Sequence, residues 1–128
     1  MKSLFGFILI LFISSSLAAS ELSSVEKEQR KLVSRFYETL EMMPIRCPQS
    51  AKKEYLQSIV KFERAFPVFI SLIKNSKFRP YAIDNFSNKS MLSEQACMYI
   101  KEALDMLMNT EKGQKSMHKN IKIMRQND

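Results

Sequence analysis

Residues 22–44, LSSVEKEQRKLVSRFYETLEMMP, carry the pattern that decides the fold class. Ser23 and Glu26 stand three apart as a capping box, the serine hydroxyl suited to accept from the third backbone N–H and the glutamate to reach back. Apolar residues then recur at Leu22, Val25, Leu32, Val33, Phe36, Tyr37, Leu40 and Met43. Spacings of three and four line one face of a helix. The reading is a long amphipathic helix that Pro44 ends, because a proline ring blocks continuation. The rest of the chain agrees. Gly113 is the only glycine besides Gly6, no Asn-Gly or Asp-Gly pair signals a hairpin, and no stretch alternates apolar with polar.

Working toward the C-terminus, Ile45-Arg46-Cys47 is a short connection and Pro48 suits the first turn of a second helix, where its missing N–H leaves no partner unsatisfied. That helix carries Ala51, Tyr55, Ile59, Phe62 and Phe66 on one face. Pro67 interrupts the most apolar stretch beyond the N-terminal region, Phe66 to Ile73, and predicts a kink or a break with a new helix beginning there. From Lys74 to Lys89 the periodicity is lost, which predicts an ordered loop with at most a short helical turn. Ser90 is read as the cap of a fourth helix with Leu92, Ala96, Tyr99, Ile100, Ala103, Leu104 and Leu107 on its inner face, stopped by Gly113. The expected fold is all-α, a small bundle of four to five helices.

Toward the N-terminus, Met1-Lys2-Ser3, the apolar run Leu4 to Ile13 and the stretch Ser14 to Ala19, with small residues at Ser16 and Ala18, have the form of a secretory leader. Cleavage is expected after Ala18, or after Ala19. A membrane anchor needs about 20 consecutive apolar residues, and Leu4 to Ile13 falls short of it. The organisation is therefore a leader over 1–18, a helical domain over 19–113, and a basic tail or short amphipathic helix over 114–128. The expected location is the periplasm or the exterior. Asn85-Phe86-Ser87 and Asn88-Lys89-Ser90 match the N-glycosylation pattern, which carries meaning only in a eukaryotic host.

Export fixes the reading of the two cysteines. In an oxidising compartment Cys47 and Cys97 are expected to form one structural disulfide, since a redox pair favours close spacing and a metal site needs more Cys or His ligands than this chain has.

Catalytic chemistry is hard to assemble from this inventory. His118, the only histidine, sits in the polar tail. The pairs Glu38 with Glu41 and Glu102 with Asp105 fall on outer, charged helix faces, where solvent and neighbouring cations leave acid–base chemistry little purchase. A haem site with one Met and one His ligand fails on placement: His118 would need a methionine near residues 22–25, and Met42 and Met43 lie at the other end of the first helix. The chain is read as a non-enzyme without cofactor or metal.

Binding remains. The net charge is +7, or +6 once Lys2 leaves with the leader, a balance that favours acidic partners or anionic surfaces. Nucleic acid is disfavoured for an exported chain without interleaved aromatics on strands. Lys77, Phe78, Arg79, Tyr81 and Asp84 combine residue types enriched at binding hot spots on a loop. Their structural role would be to anchor that loop, with Phe86. Arg46, Lys52 and Lys53 form a second basic cluster at a helix start, where cations are electrostatically unfavourable. Lys115, Lys119, Lys122 and Arg125 alternate with Met117, Ile121 and Met124 at helical spacing, suited to a membrane or client surface. The leading expectation is an exported protein-binding module, an inhibitor or immunity-type protein that blocks an acidic toxin or enzyme by occlusion; a homodimer is also allowed. The alternative is a membrane-surface or chaperone-like protein with weak anionic membrane contact through its tail. In plan alone, a short exported helical chain with one disulfide, it resembles immunity proteins that guard against type VI secreted cell-wall hydrolases.

Overall fold

The computed structural model describes residues 23–86 and 90–126. The expected leader lies outside the described residues. Ser23 starts α1 (Ser24–Tyr37), its hydroxyl accepting from the Glu26 N–H at 3.2 Å. Leu32, Val33 and Phe36 carry the buried face of α1, as the spacing predicts.

Pro44 does not end this helix. The chain widens into a π-helical turn (Glu38–Met42) and continues through the proline as α2 (Met43–Arg46). The widening explains how. An α-helical register would press the ring against the carbonyl four residues back. In the π register the Thr39 carbonyl would look to residue 44, five on, for a donor. Proline has none, and the Tyr55 hydroxyl donates to Thr39 O instead, at 2.6 Å.

Pro48 caps α3 (Gln49–Ala65), which buries Ala51, Tyr55, Ile59 and Phe62 as expected, with Ser58 among them. Phe66 leaves helical geometry (φ −131°, ψ 59°), so Pro67 marks a break and opens α4 (Pro67–Lys74). The apolar stretch turns Phe69, Ile70 and Ile73 into the core and leaves Val68 outside. The aromatic centre is Phe36, stacked on Phe62 at 5.7 Å and edge-on to Phe69 at 4.7 Å.

The expected loop over 74–89 contains a two-turn helix, α5 (Arg79–Asn85), started by Pro80 and packed on α1 through the fully buried Ala82. Its short length hides the helical period in the sequence. The next helix begins at Ser93 rather than Ser90. Residues 91–93 stay outside the helix: Leu92 N–H donates to Arg46 O at 2.7 Å, and the extended Ser93 caps α6 (Glu94–Asn109) with its Oγ.

Gly113 is not a left-handed stop; no described residue has positive φ. Thr110 separates α6 from α7 (Glu111–Arg125), its hydroxyl accepting from Gly113 N–H at 2.9 Å and donating to Met106 O at 2.7 Å. The expected tail is thus part of a full helix of 15 residues whose start precedes residue 114. Met117 and Met124 are buried, and the Gln29 amide donates to Ile123 O and Met124 O, carbonyls of the last turn of α7.

Cys47 and Cys97 form a disulfide with Cα atoms 5.9 Å apart, both residues buried. It pins the start of α3 to the first turn of α6. Farther along, Ser58 Oγ meets Asp105 Oδ1 at 3.0 Å. Both pairings advance in the same direction, so α3 and α6 run parallel. Among the described residues no helix is long and apolar enough to cross a membrane.

Candidate protein-binding surface

The 77–84 segment is folded onto α1. Lys77 pairs with Glu26 at 3.5 Å and lies 5.2 Å from the Phe78 ring, itself half-buried against the core. Arg79 bridges to Glu41 at 3.1 Å and also donates to Lys74 O. The Arg30 guanidinium stacks 3.3 Å over the Tyr81 ring. That contact offsets the burial of Arg30 Nε, which has no hydrogen-bond acceptor. Phe86 stacks on Tyr37 at 6.1 Å. Asp84 and Ile83 remain exposed. Charged and aromatic groups already engaged within the chain offer a partner less than their residue types suggest.

Arg46 has likewise a structural task at the disulfide corner, where its Nε donates to Ser90 O at 2.9 Å. Lys52 is half-buried and Lys53 exposed on the first turns of α3. Lys53 begins an outward row that the sequence reading missed. Lys53, Leu56, Gln57, Val60, Lys61 and Arg64 together line an open, shallow surface along α3. Their spacings of three and four put them on one face, opposite Ala51, Tyr55 and Phe62. Leu56 is 41% and Val60 47% exposed, so α3 is apolar on two sides and packs only one. The spacing assigns Ala51, Tyr55 and Phe62 to the buried face, as found; the second stripe is equally periodic, and the sequence reading passed over it.

Gln57 and Lys61 also line a groove between α3 and α6 of about 620 Å³, continued by Glu54, Ser58, Lys101 and Asp105. At its floor Asp105 accepts from Ser58 Oγ on one oxygen and from Lys101 Nζ, at 2.7 Å, on the other. The hydrogen bond to Asp105 raises the Lys101 pKa above 10.5, more than burial lowers it. Asp105 therefore points inward, whereas Glu102 stays on the outer face. Through the Asp105 carboxylate the Ser58 hydroxyl ties α3 to α6. Beyond the groove, Tyr99 (74% exposed) and Met106 (60%) project from α6. The spacing puts Tyr99 and Ala103 on the inner face, and both are exposed; Leu104 is buried there as expected, with Cys97 beside it.

Tyr55 is the other perturbed group. Burial, with the Glu38 carboxylate adding to it, pushes its phenol far above 10.0. It serves the π-helical turn and lies inside the core.

The cations of α7, Lys115, Lys119, Lys122 and Arg125, are all exposed, as is His118. None of them lines the α3 surface. Compared with protein-family models, curated proteins and solved structures, the chain matches none.

Proposed function

We propose that this chain is an exported protein-binding module that acts by occlusion, as an inhibitor or immunity-type protein does, on an acidic protein partner. The observation that carries the reading is the outer stripe of α3. Two aliphatic side chains, Leu56 and Val60, stand in solvent inside a frame of Lys53, Lys61 and Arg64. An apolar centre with a charged rim is the anatomy of an interface patch. Three cations around it favour a partner with carboxylates at matching positions. The disulfide is compatible with an oxidising compartment, and a pinned, parallel α3–α6 pair gives such a patch a fixed shape, which lowers the entropic cost of association.

The test begins with affinity capture of the oxidised protein from its own cell envelope, followed by titration of the purified partner. A stoichiometric, salt-resistant complex is expected. Leu56→Asp with Val60→Asp should weaken it by at least about 30-fold, since truncating a hot spot costs about 2 kcal/mol or more. Because both side chains are exposed, the variant should stay within about 0.5 kcal/mol of the parent in stability for each change. A complex that survives this double change would sink the assignment of the surface.

A further inference from the structure

A second face calls for a different occupant. On α7, every residue exposed to solvent is polar: Lys112, Lys115, His118, Lys119, Lys122 and Arg125 follow one another over successive turns, with Glu111 and Ser116 beside them. The one carboxylate of this helix, Glu111, pairs with Lys115 at 3.3 Å. Among the described residues Lys112, Lys119, Lys122 and Arg125 have no ion-pair partner. The apolar side of the same helix is spent, with Met117 and Met124 buried in the core and Ile121 and Ile123 packed against it.

We infer that the outer face of α7 docks on an anionic phospholipid surface. Two properties choose a bilayer over a protein. Lysine is depleted at protein interface centres, which rely on aromatic and arginine anchors in fitted pockets, and this face has neither an aromatic nor an exposed aliphatic residue. A row of flexible ammonium groups instead suits a fluid layer of mobile headgroups, where each cation near the surface contributes independently. With only the part-exposed Ile121 at its edge and no fully exposed apolar side chain, the face adsorbs chiefly by charge, peripherally and with sensitivity to salt.

The experiment is co-sedimentation of the full, oxidised chain with vesicles of two parts phosphatidylcholine to one part phosphatidylglycerol, against pure phosphatidylcholine. Binding to the anionic vesicles alone is expected, and raising the salt to 0.5 M or so should abolish it by shrinking the screening length to a few ångströms. Lys115→Gln, Lys119→Gln and Lys122→Gln together should weaken binding about a hundred-fold, roughly five-fold for each lysine. Circular dichroism should show the triple variant folded. Lys53→Gln, Lys61→Gln and Arg64→Gln remove the same net charge from α3 and should leave vesicle binding within about five-fold of the parent.

Equal loss in both triple variants would mean unspecific charge attraction and would overturn the proposal. So would binding to pure phosphatidylcholine, or capture by a polyglutamate matrix without binding to anionic vesicles. The α3 and α7 variants share no residue, so failure here and failure of the protein-binding reading are read separately.

Discussion

Tyr55 shows how one side chain holds two elements to one solution. Its ring fills the core with no exposed surface, and its hydroxyl supplies the donor that Pro44 withholds from the Thr39 carbonyl. Replacing it with phenylalanine keeps the packing and strands the carbonyl, so Tyr55→Phe should cost about 1–3 kcal/mol at neutral pH. The same residue sets an alkaline limit. Its pKa in the fold lies far above the 10.0 of an exposed tyrosine, so folding favours the neutral phenol. That stabilisation is complete below pH 10.0 and is lost as pH rises toward the folded value, because only the unfolded chain then releases the proton. Lys101 acts in the same direction: its ammonium is favoured by Asp105, and the benefit is present below 10.5 and lost above it. The parent should therefore lose stability steadily above about pH 10. The gap between parent and Tyr55→Phe should narrow over the same range, read from denaturant midpoints. A gap that stays constant would mean that the phenol ionises freely in the folded protein.

At the scale of elements, the corner between α6 and α7 makes the clearest demand on the sequence. A Cβ at Gly113 would overlap the Met106 carbonyl oxygen and come within 2.6 Å of Leu107 Cα and 2.8 Å of Leu107 O, all backbone atoms that have no rotamer to yield. Helix propensity alone favours alanine over glycine by about 1 kcal/mol. The overlap should reverse that sign, making Gly113→Ala net destabilising by about 1–3 kcal/mol in chemical unfolding; a gain would show that the corner can open at little cost. The same corner explains why the helix limits were only partly legible. Ser23 and the three-and-four spacing of α1 and α3 are local signals, and they were read correctly. The boundaries at Pro44 and Ser90 depend on groups distant in the chain, Tyr55 and Arg46 O, whereas Thr110 is a local cap, bonded to Gly113 N–H and Met106 O, that the reading of Gly113 as a stop passed over. The candidate surface divides in the same way. Lys53 is legible as a cation at a helix start, whereas Leu56 and Val60, though regularly spaced, count as part of a surface only once their exposure is known. Phe78, Tyr81 and Phe86 take the anchoring role that the sequence also allows, and Arg79 is engaged with Glu41, so the hot-spot residue types there serve the fold.

For the whole molecule, the decisive constraint is the bond between Cys47 and Cys97. The 50 residues it spans contain all of α3, α4 and α5, so the cross-link closes half of the described chain into one loop. Removing that freedom from the unfolded state stabilises the fold by about 4 kcal/mol in the chain-entropy description. A domain of this size has about 5–15 kcal/mol in total. Reduction should therefore leave a helical but marginal protein, with a melting temperature lower by roughly 15–30 °C at about 4–8 °C per kcal/mol. Since both cysteines are buried, a thiol reductant should act slowly on the native protein and quickly once denaturant opens it. Cys47→Ala with Cys97→Ala should reproduce the reduced state, with helical circular dichroism retained and the thermal midpoint lowered by a similar amount. The consequence for binding follows from geometry: with the α3–α6 pair unpinned at one end, the Leu56–Val60 patch loses its fixed frame, and the complex with its partner should dissociate faster rather than associate more slowly. An unfolding free energy that changes by less than about 1 kcal/mol on reduction would show that the packing between α3 and α6, with the Ser58–Asp105 bond, holds the parallel pair in register without the cross-link.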